Sequence, residues 1–200
     1  MPRRLLALAV AALVLVVSTG CASDVSPAAV IDGRKISNDD FMAEVAEWAG
    51  SPTLIKNLQL ESPQGSGPGS YSTAFTDIVM SIRIGFELQN AKFDELGLTL
   101  TDQQVSDVRS AIFQDPADTE ALFTELGETY GDRLAADVAR QFAVQDALGA
   151  DYQAWLAGAY ADTKVEVNPR YGTWDAETGQ VVAPDGPVNR STTTTAFTGP

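Results

Sequence analysis

The sequence has 200 residues, with 13 Lys and Arg against 27 Asp and Glu, a formal net charge of −14. It has no histidine and one cysteine, which excludes Ser-His-Asp and Cys-His catalysis, His-containing metal sites and any intrachain disulfide. The acidic balance disfavours nucleic acid and anionic lipid headgroups as partners, since both need clustered Lys and Arg, and suits cationic or neutral apolar clients.

At the start of the chain Arg3 and Arg4 precede an apolar run from Leu5 to Val17, then Ser18, Thr19, Gly20 and Cys21. A basic stretch, a short apolar stretch and small residues predict a secretory signal over residues 1–20, too short for a typical spanning helix. The cysteine directly after Gly20 resembles the lipobox of bacterial lipoproteins, although Ser18 stands where that motif usually has Leu, Val or Ile. The resemblance implies cleavage before Cys21, acylation of its thiol, and a lipid anchor on the extracytoplasmic face of the cell membrane. A lone thiol in an exported chain demands a partner or a modification, and acylation supplies one. Without Arg3 and Arg4 the chain keeps 11 basic and 27 acidic residues, a net charge of −16.

Residues 21–27 then read as a short tether. AAVIDGRKIS, residues 28–37, predicts a strand entering a tight turn at Asp32-Gly33. Ser37 is a suitable N-cap, with Asp40 in the first turn of a helix whose apolar face is Phe41, Val45 and Trp48. Gly50-Ser51-Pro52 ends that helix, and Leu54, Ile55 and Leu58 suggest a short second one. ESPQGSGPGS, residues 61–70, predicts a flexible loop. From Phe75 the positions Ile78, Val79, Ile82, Phe86, Phe93 and Leu96 mark a long amphipathic helix closed by Gly97. Thr101 to Gln104 is a capping box for the next helix, stopped by Asp115-Pro116, with Asp118 predicted to start another. A helical period then runs from Leu134 to Tyr160, the longest of the chain, with Gly149 a candidate kink.

KVEVNP, residues 164–169, alternates like a half-buried strand. Past Trp174 the chain turns to Gly, Pro, Asp and a run of four Thr, predicting a disordered tail over residues 183–200. One mainly α domain is therefore expected over residues 28–182. A lone strand leaves backbone groups unpaired, so the strand before the first helix and the strand after the last are predicted to pair. Arg170, Tyr171 and Trp174 are expected to cover that seam.

No phosphate-binding loop or glycine-rich fingerprint is present. Asp39, Asp40, Glu44 and Glu47 crowd the first helix, where capping and the helix dipole explain acidic residues better than paired-carboxylate hydrolysis does. Asp115, Asp118 and Glu120 lack the spacing and the glycine of a calcium loop. No cofactor or metal is implied. Trp48, Tyr152 and Trp155 lie at helical spacing, as core residues do. Leu54, Ile55, Leu58 and Leu60 precede the glycine-rich loop; with Trp48 they are the candidate surface for holding unfolded chains, with core packing the competing reading.

The ordered set AVIDGRKIS, DDFMAEVAEW, TDQQV, GDRLAADVARQFAVQDAL and a valine strand resembles the N-terminal domain of the SurA and PrsA class of extracytoplasmic foldases, a class related to the trigger factor peptide-binding region. The ending VEVNPRYGTWD looks like the closing segment of SurA-like lipoproteins of actinobacteria. The resemblance implies a helical chaperone body closed by its terminal segments and clients that are unfolded or partly folded exported polypeptides. Many members insert a histidine-dependent parvulin prolyl isomerase domain before the closing strand. Here only DTK separates Ala161 from Val165, and no histidine exists, so the resemblance implies the chaperone half without catalysis. The alternatives are a prolyl isomerase acting without that domain, and a structural envelope lipoprotein with one dedicated partner.

Overall fold

The computed structural model describes residues 26–183. The expected signal over 1–20, Cys21, residues 22–25 of the expected tether and residues 184–200 of the expected tail lie outside the described residues. The elements run β1 (Ala29–Ile31), β2 (Arg34–Ile36), α1 (Asn38–Ala49), α2 (Pro52–Asn57), α3 (Thr73–Glu95), α4 (Asp102–Ala111), α5 (Pro116–Glu125), α6 (Gly127–Leu148), α7 (Tyr152–Asp162), β3 (Val165–Val167), β4 (Thr173–Asp175) and β5 (Gln180–Val182). The fold is mainly α, with small antiparallel strand pairings. No helix among the described residues is long and apolar enough to cross a membrane.

β1 and β2 are joined by Asp32 (φ 46°) and Gly33 (φ 81°), the two positive values that a two-residue I′ hairpin turn needs. On its other edge β1 pairs antiparallel with β3, Ala29 opposite Val167 and Ile31 opposite Val165. Asp32 and Lys164 extend that seam with a 3.0 Å backbone bond, and Asn168 N donates to Ala28 O at 2.9 Å. The pairing read from the alternation of Val165 and Val167 is thus present. Tyr171 packs edge-on to Phe41 with ring centroids 4.8 Å apart, and Arg170 lies over Tyr171. Trp174 packs edge-on to Tyr160 of α7, and its Nε1 donates to Tyr160 O at 3.4 Å.

The core is built where the helical stripes meet. Ile31, Phe41, Leu54, Phe75, Met80, Ile84, Leu122 and Val138 are among its fully covered side chains. α3 and α6 form its spine, and α1, α4 and α5 pack around them. Helix starts follow side-chain chemistry: Ser37, Ser51, Ser72 and Thr101 each accept a backbone N–H of the first turn, and Thr101 with Gln104 completes the capping box.

Four expectations are corrected. Residues 61–72 fold back as an ordered loop: Gln64 bridges Tyr71, Gly65 N donates to Ser70 O, and Ser72 N to Pro63 O. Serine hydroxyls bond further backbone groups there, at Gly67 and Ser62, so glycine content alone does not leave the segment loose. The cap of α5 is Asp115 rather than Asp118, because a residue before proline is driven to extended backbone and proline fits the first helical position. The long helical period ending at Tyr160 is two helices: Gly149 adopts φ 52°, ψ −121°, a conformation closed to side-chain-bearing residues, and the chain turns there. α3, at 23 residues, is therefore the longest helix among the described residues. Beyond Trp174 the chain continues as the β4–β5 hairpin, tied to α3 by Val181 N donating to Ser81 Oγ at 2.8 Å.

Candidate functional site

The residues proposed to hold clients do not form an open groove. Trp48 (3% exposed) and Leu54 (0%) belong to the core, while Ile55, Leu58 and Leu60 are half-buried against it. Trp48 and Leu54 are thus packing residues, the core reading of the pair rather than the binding one, with Leu54 buried in the first turn of α2. Beside this region a shallow cleft of about 390 Å³ runs between Ala46, Ala49 and Gly50 of α1 and the loop over 63–71. Its walls are mostly glycine, proline and backbone, with Tyr71 the one aromatic.

α2 is held by two carboxylates of α5. Glu125 accepts from Ser51 Oγ (2.5 Å), Thr53 Oγ1 (2.8 Å) and Thr53 N (3.1 Å), where the helix dipole also favours negative charge. At the other end Asp118 accepts from Lys56 Nζ (2.9 Å) and Asn57 Nδ2 (3.0 Å). The Lys56 and Asn57 hydrogen bonds hold the Asp118 carboxyl below its ordinary value. Asp118 is therefore a surface tie, and no cluster of His, Cys, Asp and Glu among the described residues could hold a metal ion.

A charged cluster lies where α1, α3 and α6 cross. Arg83 Nη1 donates to Asp137 Oδ2 at 2.9 Å and lies 4.0 Å from Glu44 Oε1; its Nη2 pairs with Glu87 one turn on. Asp137 Oδ1 also accepts from Asn90 (3.0 Å) and Arg140 (3.3 Å), and Arg133 approaches Glu44 at 3.5 Å. Three arginines balance three carboxylates, with Glu44, Arg83 and Asp137 almost wholly buried. Burial works against the Arg83 charge, but Glu44, Asp137 and Glu87 outweigh it and hold the guanidinium above its ordinary value. Burial also pushes the Glu44 carboxyl up, with Arg83 and Arg133 pulling it back. Such a set fixes three helices in one register rather than presenting an acid or base to a substrate.

One carboxyl stands apart. Asp77 on α3 is 7% exposed, and its Oδ1 has no hydrogen-bond partner. Burial alone pushes it up to about 7.

Sequence patterning contained a signal for the cluster that the acidic crowd on α1 obscured. Glu44 falls on the Phe41, Val45, Trp48 stripe at i+3; Arg83 lies four residues after Val79, and Asp137 three after Leu134. A charge on an apolar stripe in each of three helices is a sign of mutual pairing. The helical spacing of Trp155 and Tyr152 on α7 suggested core: Tyr152 is buried, and Trp155 is half-buried against it, ring centroids 5.8 Å apart. Compared with protein-family models, curated proteins and solved structures, the chain matches none.

Proposed function

We propose that the protein is a lipid-anchored, extracytoplasmic chaperone-like protein that binds unfolded or partly folded exported polypeptides and releases them without catalysis. The observation that carries this reading is the β1–β3 pairing directly after α7, with only Thr163 and Lys164 between helix and strand. It gives the closed helical body that the resemblance to SurA and PrsA foldases implies, at the point where their isomerase domain would enter. The signal-like start, Cys21 and the charge of −16 support an exported, anchored protein whose loaded complex stays dispersed. The absence of histidine removes the parvulin chemistry from the reading.

The test is aggregation of a reduced, unfolding client followed by light scattering with and without the protein. Suppression at stoichiometric protein supports the reading, and none at that ratio sinks it. A protease-coupled proline-peptide assay run alongside addresses the isomerase alternative, because a catalysed rate would replace the non-catalytic reading.

A further inference from the structure

The main core covers most large apolar side chains, but the end of the bundle where α3 and α6 stop is built differently. There Phe93, Val144 and Tyr152 form a separate small cluster, with Leu98, Leu148, Trp155 and Leu156 half-buried against it. Leu96, next in the chain, is the only large apolar residue among the described residues that stands exposed, at 38%. α7 continues this surface. Apart from Gln153 and Asp162 it is apolar around its circumference, yet it buries only Tyr152 and leaves Ala154 and Ala157 exposed. A helix apolar on every side ordinarily lies inside a protein.

The electrostatics of this end select what covers it. The residues directly beside the cluster in the chain include Asp94, Glu95, Asp146 and Asp151, all exposed. Lys92, the cation beside Phe93 in the chain, is bound to Glu95 at 2.6 Å. α3 and α6 both end here with their carbonyl poles, and α6 has no basic residue in its last turn, so their partial negative charge adds to the carboxylates. α7 begins here with its positive pole, where Asp151 stands. An anionic lipid surface is repelled by such a rim, and a second copy would set the same carboxylates against each other.

We infer that this acid-rimmed apolar end, from Leu96 to α7, is a docking surface for polypeptide segments in which Lys or Arg flank apolar side chains. The inference rests on the chaperone reading and names its clients' chemistry. Apolar residues of the client cover Leu96, Trp155 and Leu156, while its cations meet Asp94, Asp146 and Asp151.

The test uses the full chain in neutral lipid nanodiscs and a labelled synthetic peptide of leucine and lysine, with a glutamate-for-lysine counterpart as control. Anisotropy should show binding of the lysine peptide, weakened by salt, and none of the glutamate peptide. Peptide binding should shift wild-type tryptophan fluorescence, and the shift should be lost in Trp155→Phe. The double variant Asp146→Asn, Asp151→Asn should bind about tenfold more weakly, and Leu96→Glu at an exposed position should also weaken binding while leaving the thermal transition in place. Equal binding of both peptides, unchanged binding by the folded variants, or capture of anionic vesicles or self-association in place of the peptide would each overturn the inference. The two readings separate cleanly. Aggregation suppression that the variants leave intact defeats this surface and spares the chaperone; variant-sensitive peptide binding without any suppression does the reverse.

Discussion

Removing the charge-bearing capacity of Asp77 should make the protein more stable in base and leave it nearly unchanged in acid. The carboxyl is buried on α3 with an unpartnered oxygen, and burial lifts it from 3.8 to about 7. In the unfolded chain the group ionises near its ordinary value, so between the two values the native state holds a proton that the unfolded state has released. Stability from this group is therefore complete below pH 3.8, declines as pH rises, and levels off above about 7. A rise of about three pH units at ~1.4 kcal/mol each corresponds to about 4 kcal/mol. Asp77→Asn keeps the shape and removes the titration; any penalty from its buried amide is equal at all pH values and cancels. Urea unfolding of both proteins at about pH 4 and about pH 8 should show the stability difference moving by about 4 kcal/mol in favour of the variant. The contribution of Glu44, whose carboxyl is also raised, is common to both proteins and drops out. A difference that stays constant with pH would refute the assignment of Asp77 as a desolvated, neutral carboxyl.

Three further outcomes follow from other parts of the fold. Arg83→Met removes the buried arginine between Glu44 and Asp137 and should destabilise by about 3–5 kcal/mol in urea unfolding, whereas exposed Lys164→Met should change little. Glu125→Ala frees the hydroxyls of Ser51 and Thr53 and should lower stability by about 1–3 kcal/mol, with amide exchange fastest in α2. Gly149→Ala forces a side chain into φ 52°, ψ −121° and should cost about 1–3 kcal/mol by thermal unfolding, a loss that Ala147→Gly, within α6, should not approach.

Periodicity and capping carried the fold because both are local. The stripe Phe41, Val45, Trp48, the caps at Ser37 and Thr101, and the valine alternation at 165 and 167 each report on neighbours within a turn or a strand. What was hidden depended on distant residues. Ser72 reads as linker composition, yet its hydroxyl reaches the Ser62 carbonyl, ten residues back, only once the loop has closed. β4 and β5 are three residues each, and β5 is anchored by Ser81, a hundred positions away. Trp48 and Leu54 looked available because exposure is a property of the partner surface, which no single helix displays. The Glu44, Arg83 and Asp137 set was legible only by taking three helices together.

The β1–β3 seam also has a consequence for the order of folding. A chain that emerges from its N-terminus presents β1 early and β3 only after every helix has appeared. The β1–β2 hairpin covers one edge of the first strand at once, while the other edge waits for Val165–Val167. Closing an open loop of that length costs about 4 kcal/mol in chain entropy, so the seam forms economically only after the helices have drawn its ends together. Until then the second edge of β1 stands open as a template, and the last strand to arrive is the one that retires it.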